Sequence, residues 1–218
     1  MASDSAESAG AWPGLLARAC ASTRNVLAAV REGQLAAPTP CADWTVHDLI
    51  VHIVDGTNFW GDLAESGEMP DYRSWPDYSG TDFVGDFEGH AARAVAGFAA
   101  PGMMDKPLVL PTGPAPGSLA VQVATGEIFV HGWDLATALR GTAVDEPGRP
   151  APPMDDEVAA ALLLSDWLVL CVQVRGNEPA VFAPEIEPSD DTPAADRLAA
   201  FLGRDPAWTP ACSGPSPR

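Results

Sequence analysis

Apolar positions recur at helical spacing along most of the chain, and that pattern predicts an all-α protein. Between about Trp12 and Arg31, residues Leu15, Leu16, Ala19, Val26, Leu27 and Val30 fall on one face. "EGQLAAPTPCAD" then interrupts the pattern with one glycine and two prolines. A second helix is expected to start at Thr45 as N-cap, with Asp48 three residues on completing a capping box, and to reach about Ala64. "ESGEMPDYRSWPDYSG" reads as a loop, and a third helix follows from about Asp82 to Ala99. The piece from Pro107 to Pro111 is extended, and its prolines argue against a central strand. A fourth helix runs from about Ser118 to Leu139, with Gly141 as its C-cap. A fifth runs from about Met154 to Val174, its acidic first turn suiting the helix dipole. A short helix from about Pro193 to Leu202 closes the pattern. No internal repeat and no strand pair stands out. The expectation is one helical bundle over residues 12–208, with flexible ends at 1–11 and 209–218.

Composition narrows the partners. The 218 residues are 46% hydrophobic, enough for a sizeable core. Lys+Arg number 12 against 30 Asp+Glu, a net charge of −18, so no basic face exists for a nucleic-acid duplex or an anionic membrane. Lys106 is the only lysine, and the richness in Ala, Pro and Gly points to a GC-rich bacterial genome. No apolar run reaches about 18 residues. "MASDSAESAGAW" lacks the charged start and apolar centre of a signal peptide, so a cytoplasmic protein is expected. Cys20, Cys41, Cys171 and Cys212 are scattered without a CxxC pair, which reads as free thiols rather than a disulfide framework.

The candidate chemistry lies in four histidines: His47, His52, His90 and His131. Glu127 and His131, four apart on the fourth helix, reach toward the same point, and Asp134 shares their face. His52 and Asp55 repeat the His-x-x-Asp spacing on the second helix. His47 and His52 diverge by about 140° and cannot serve one metal. His47 is expected to face solvent in the first turn, and His90 to sit on the surface of the third helix. Two ligands on one helix and one from its neighbour would unite His52, Glu127 and His131. Two imidazoles and one carboxylate leave coordination positions open, as catalytic sites do. Zinc fits this set, with iron or nickel as alternatives, and Asp134 and Asp55 are placed to hold imidazole N–H groups. On spacing alone the alternatives stay open: a solvated polar stripe for Glu127 and His131, and a core histidine for His52.

Trp60, Tyr72, Trp75 and Tyr78 read either as packing or as the wall of a substrate pocket, with the loop after the second helix as a lid. Arg73 and Arg93 are either solvated or available to a substrate carboxylate. Nothing near Cys41 in sequence would lower its pKa, so it is not read as a nucleophile. Neither a Ser-His-Asp order nor a phosphate loop nor a dinucleotide fingerprint is present.

Two blocks taken together carry a resemblance. "PTPCADWTVHDLIVHIVDG" (Pro38 to Gly56) and "GEIFVHGWDLATALRG" (Gly126 to Gly141) resemble the paired signatures of the DinB-like superfamily. They are most similar to the actinobacterial branch that includes mycothiol-dependent maleylpyruvate isomerase. The matching parts are Pro40-Cys41, Trp44-Thr45-Val46, His52, Glu127, His131 and Trp133-Asp134-Leu135-Ala136. The tail "DRLAAFLGRDPAW" is similar to the closing segment of the short metal-binding relatives. The resemblance implies a DinB-like four-helix bundle with an extra short C-terminal helix and structured loops. It implies a divalent metal, usually zinc, held by His52, Glu127 and His131. In many relatives that metal binds and activates the thiolate of a low-molecular-weight thiol, for isomerisation or for transfer to an electrophile.

The isomerase carries a further α+β domain after its bundle, and the short run of residues from the bundle to Arg218 is not expected to hold one. Mycothiol is accordingly a weaker expectation than the metal. Three functions are weighed: a metal-dependent isomerase or thiol-transferase-like enzyme acting on a small substrate, a non-catalytic metal-binding or stress-response protein, and a structural homodimer with a vestigial site.

Overall fold

The computed structural model describes residues 2–70, 82–141, 151–175, 182–189 and 191–210. Four long helices dominate: α1 (Ala2–Leu27), α2 (Val46–Ser66), α3 (Phe83–Phe98) and α4 (Gly117–Gly141). Helix α1 packs against α3 and α4, and α2 packs against the same two, so the helices stand in the cyclic order α1–α3–α2–α4. Leu16, Leu49, Phe87, Phe98, Phe129 and Trp133 fill the space between them. This is an all-α, DinB-like bundle.

Local chemistry sets the helix ends. Thr45 caps α2: its side chain accepts from the Asp48 N–H, and Asp48 in turn accepts from the Thr45 N–H at 2.9 Å. Gly67, at φ 81°, closes the other end in the left-handed conformation that glycine adopts freely. Asp82 caps α3. Helix α1 begins at Ala2 rather than Trp12, so it covers most of the segment expected to be flexible. It ends at Leu27 rather than Arg31, because the Val30 N–H bonds back to the Leu27 carbonyl and tightens the chain. Gly141 is the last residue of α4 rather than the residue beyond it.

Two expectations are corrected. A strand pair does exist: β1 (Pro107–Leu110) runs antiparallel to β2 (Gly113–Pro116). Proline is tolerated because an isolated two-stranded ribbon has two free edges and needs few donors. Leu108 and Leu110 point inward and bury against the bundle. The expected fifth helix is two helices, α5 (Asp156–Leu162) and α6 (Asp166–Val174), bent by 64°. Ser165 makes the break: its hydroxyl donates to the Leu162 carbonyl at 2.6 Å and accepts from the Leu168 N–H at 3.3 Å. Helix α7 (Ala194–Phe201) follows near its expected place. Among the described residues no single helix is long and apolar enough to cross a membrane.

Helices α5, α6 and α7 all lean on α4, which also packs against α1, α2 and the β1–β2 hairpin. Its approach to α6 needs Gly126, where an added Cβ would lie 2.5 Å from the Trp167 ring. Trp167 is itself buried. Gly126→Ala is expected to cost about 1–3 kcal/mol through overpacking, measured as a lower midpoint in urea with an unchanged slope. An unshifted midpoint would show that α6 yields freely.

Candidate metal centre

His52 on α2 faces Glu127 and His131 on α4, so the three side chains meet between two packed helices. Glu127 Oε1 lies 3.5 Å from His52 Nε2 and 3.4 Å from His131 Nε2. Those separations are long for charge-assisted hydrogen bonds, which run about 2.7–2.9 Å. They match the edges of a tetrahedron: ligands about 2.1 Å from a shared zinc stand about 3.4 Å apart. His52 Nε2 is buried and has no hydrogen-bond partner among the described residues. A buried imidazole nitrogen without a partner carries a desolvation cost that a metal would remove. The two imidazole rings meet edge to face at 4.6 Å. Glu127 keeps 40% of its side-chain surface exposed, against 14% for His131, so the carboxylate marks the solvent side of the cluster.

The loop before α2 roofs this cluster. Thr39 is buried and knits the loop: its hydroxyl donates to the Trp44 carbonyl at 3.0 Å and accepts from the Cys41 N–H at 3.1 Å. Asp43 takes φ 66°, an uncommon conformation for a residue with a side chain. The loop thereby sets the Trp44 ring 4.7 Å from His52 and 6.0 Å from His131. It also delivers the Cys41 thiol, which donates to Asp134 Oδ2 at 3.2 Å.

Behind His131 lies a buried ionic chain. His131 Nδ1 is 3.1 Å from Asp134 Oδ2, and Asp134 is fully buried. Arg204 Nε donates to Asp134 Oδ1 at 2.8 Å, and its Nη2 donates to Oδ2 at 3.0 Å. Burial alone would raise the Asp134 carboxyl, but the Arg204 charge and His131 hold it below its ordinary range. An ionised Asp134 can only accept, so Nδ1 of His131 carries a proton and Nε2 faces Glu127. Burial alone would lower His131, but Asp134, Cys41 and the nearby Glu127 charge hold its pKa well above the ordinary value. Glu127 is depressed, because the adjacent His131 and His52 outweigh the partial desolvation of its carboxylate. Burial raises the Cys41 thiol, with the Asp134 charge adding to the effect and His131 opposing it, so Cys41 is a donor here and not a thiolate.

A pH dependence follows for the metal-free chain. A histidine whose folded pKa is raised stabilises the fold fully below its unfolded pKa of about 6.5, and that contribution is lost as pH rises through the folded pKa. Chelator-treated protein should therefore show a falling thermal midpoint from about pH 6.5 toward alkaline pH, and His131→Gln should flatten the slope. An equal slope in both proteins would place the titration elsewhere.

The remaining predicted residues are scattered. Asp55 is buried one turn beyond His52 on α2. Trp60 lies about 12 Å further along α2 than His52 and packs into the core, with its ring 4.8 Å from Phe59. Arg93 is not brought to the site: its guanidinium holds α2, donating to Glu65, Asp62 and Asn58 at 2.6 to 3.0 Å. Those partners explain why it is not free for a substrate carboxylate. Tyr72, Arg73, Trp75, Tyr78 and Cys212 lie outside the described residues. His47 and His90 are half-buried rather than exposed. Cys20 and Cys171 are free and buried, their thiols pushed up to about 12 by desolvation. A groove of about 480 Å³ between α1 and α3, lined by Cys20, Phe87, Ala91 and Val95, includes none of the clustered residues. Arg204 is the contributor that helical spacing could not reveal, since 70 residues separate it from Asp134.

Two imidazoles and a carboxylate gathered between two helices of a DinB-like bundle define the class of this protein. The chain belongs to the family described as mycothiol maleylpyruvate isomerase N-terminal domain, which matches residues 16–136. That stretch contains His52, Glu127, His131 and Asp134 and ends before α5. Two proteins from different strains of Mycobacterium tuberculosis, "Uncharacterized protein Rv0738" and "Uncharacterized protein MT0763", are each 39% identical over 180 residues. The alignment covers 82% of the chain and 90% of each relative. No solved structure matches the chain.

Proposed function

We propose that this protein is a divalent-metal-dependent enzyme of the maleylpyruvate isomerase-like type, with His52, Glu127 and His131 as the metal ligands. The observation that carries the reading is the Glu127 oxygen 3.4 and 3.5 Å from two imidazole nitrogens, one of them buried without a hydrogen bond. Zinc is the first candidate for a set of two imidazoles and one carboxylate, with iron or nickel next. Bound there, the metal supplies a Lewis acid that lowers the pKa of a thiol or water at its open positions.

The chain's own groups do the rest. Asp134 keeps the His131 proton on Nδ1 and leaves Nε2 for the metal. Trp44 covers one side of the imidazoles, while the exposed Glu127 edge leaves room for a small substrate to approach. His131 Nε2 would bind a metal only after giving up the proton that the metal-free imidazole holds. The family's name supports a low-molecular-weight thiol, mycothiol among them, as the cosubstrate for addition, isomerisation or transfer.

Elemental analysis of the purified chain tests the site, and cobalt tests the thiol. About one divalent metal per chain is expected after dialysis against that metal and removal of the excess. The cobalt-loaded protein should gain thiolate-to-cobalt charge-transfer absorption when a small thiol is added. Protein that retains no metal overturns the site. A cobalt spectrum that ignores thiols overturns the thiol and leaves water as the activated group.

A further inference from the structure

The Trp133-Asp134 pair that follows His131 is held from outside the family-matched stretch. Trp133 Nε1 donates to Asp196 Oδ1 on α7 at 2.7 Å. One residue on, Asp134 is forked by Arg204, just past the end of α7. The matched stretch ends at residue 136, and both partners come from the chain some 60 residues beyond it. The α7 segment therefore grips two consecutive side chains of α4 within one turn of His131.

The reach of Arg204 is itself built. Gly203 takes φ 81°, and an added Cβ there would lie 2.6 Å from both the Cβ and the carbonyl oxygen of Ala183. The left-handed turn at Gly203 ends α7 and sends the next residue back toward the bundle. The Arg204 N–H bonds to the Ala199 carbonyl at 3.0 Å, which fixes the backbone of the turn. At 17% side-chain exposure Arg204 is too buried for a solvated surface cation. Its three bonds all go to one carboxylate, whose Oδ2 also meets His131 Nδ1.

We infer that Arg204 is a positioning residue for the metal centre: it locks the Asp134 carboxylate in the plane that orients the His131 imidazole, so that the C-terminal segment completes a site whose ligands all lie in the bundle. The inference rests on the metal reading above. A fork of two N–H groups fixes both oxygens of a carboxylate, whereas a single point contact leaves it free to rotate. A carboxylate that rotates lets the imidazole swing, and outer partners of this kind typically change metal affinity by about 10–100-fold. Asp196 is a different case, since its partner Trp133 faces the core and not the ligands.

The experiment is a double-mutant cycle on cobalt and zinc affinity, with the folded state followed by circular dichroism. Arg204→Gln is expected to weaken zinc about 10–100-fold and to alter the visible cobalt spectrum. In an Asp134→Asn background, where the fork has lost its acceptor charge, the same substitution should change affinity less than about threefold. Arg204→Lys keeps the charge without the fork, and should recover only part of the affinity; it also serves if the glutamine variant does not fold. Asp196→Asn should lower the thermal midpoint and leave affinity within about twofold. Equal losses from Arg204→Gln in both backgrounds, or a cobalt spectrum unmoved by Arg204→Gln and Arg204→Lys, overturn the inference. So does an affinity loss from Asp196→Asn as large as that from Arg204→Gln, which would mean loosened docking and not orientation. If the wild-type chain binds no metal at all, the metal reading fails instead.

Discussion

His131→Ala is expected to lose zinc by more than about a hundredfold in affinity while staying folded. The lower bound comes from outer partners, whose loss alone costs up to about that much; removing a ligand removes more. A hundredfold is about 2.7 kcal/mol of binding free energy. The substitution takes away the nitrogen 3.4 Å from Glu127 Oε1 and removes the imidazole that joins the cluster to Asp134. It leaves the Asp134–Arg204 fork intact, so the buried carboxylate keeps its cation and the fold keeps its main ionic contact there. Competition with a chromogenic chelator reads the affinity, and far-ultraviolet dichroism reads the fold. A variant that holds zinc within about tenfold of the parent would remove His131 from the ligand set.

Asp134→Ala is expected to have the largest effect on stability. Asp134 has no exposed surface, and Arg204 has little. Breaking a buried pair by removing one partner costs about 3–5 kcal/mol, because the other charge is left without compensation. For a chain of this length each kcal/mol lowers the thermal midpoint by about 2–4 °C, so a fall of about 10 °C is expected. The Cys41 thiol and His131 Nδ1 lose their acceptor in the same step. Acid should imitate the change. A carboxyl with a depressed folded pKa contributes stability that is present above its unfolded value, about pH 4, and is lost as pH falls through the folded value. A loss below about 1 kcal/mol in Asp134→Ala would mean that the pair behaves as a surface salt bridge.

Much of this was legible in the sequence wherever the physics is local. The capping box at Thr45 and Asp48 needs only three residues of spacing, and it forms. Glu127, His131 and Asp134 share a face because 3.6 residues make a turn, and α4 carries them as one unit. Across elements, the meeting of His52 with Glu127 and His131 was expected and does occur, but other contacts between elements were not legible. The leucines at 162, 163 and 164 read as a helix running on, and only the bonding of Ser165 turns the chain between α5 and α6. The prolines around β1 hid the hairpin, since a two-stranded ribbon has free edges that a larger sheet would lack. Arg93 read as either solvated or available to a carboxylate, but its acidic partners stand on another helix. Trp60 carries the apolar character expected of a pocket wall, and the core claims it. Arg204 is the extreme case: no periodicity links it to Asp134, and only the folded chain brings them together.

That last contact also has an order in time. The four bundle helices are complete at Gly141, and Asp134 lies on the last of them. Arg204 is made 63 residues after Gly141, behind α5, α6 and α7. Chains fold from the N-terminus as they are synthesised. The segment that carries His52, Glu127, His131 and Asp134 therefore leaves the ribosome before Arg204 does. The buried carboxylate on the last bundle helix thus receives its cation from a part of the chain that is synthesised after the bundle is complete.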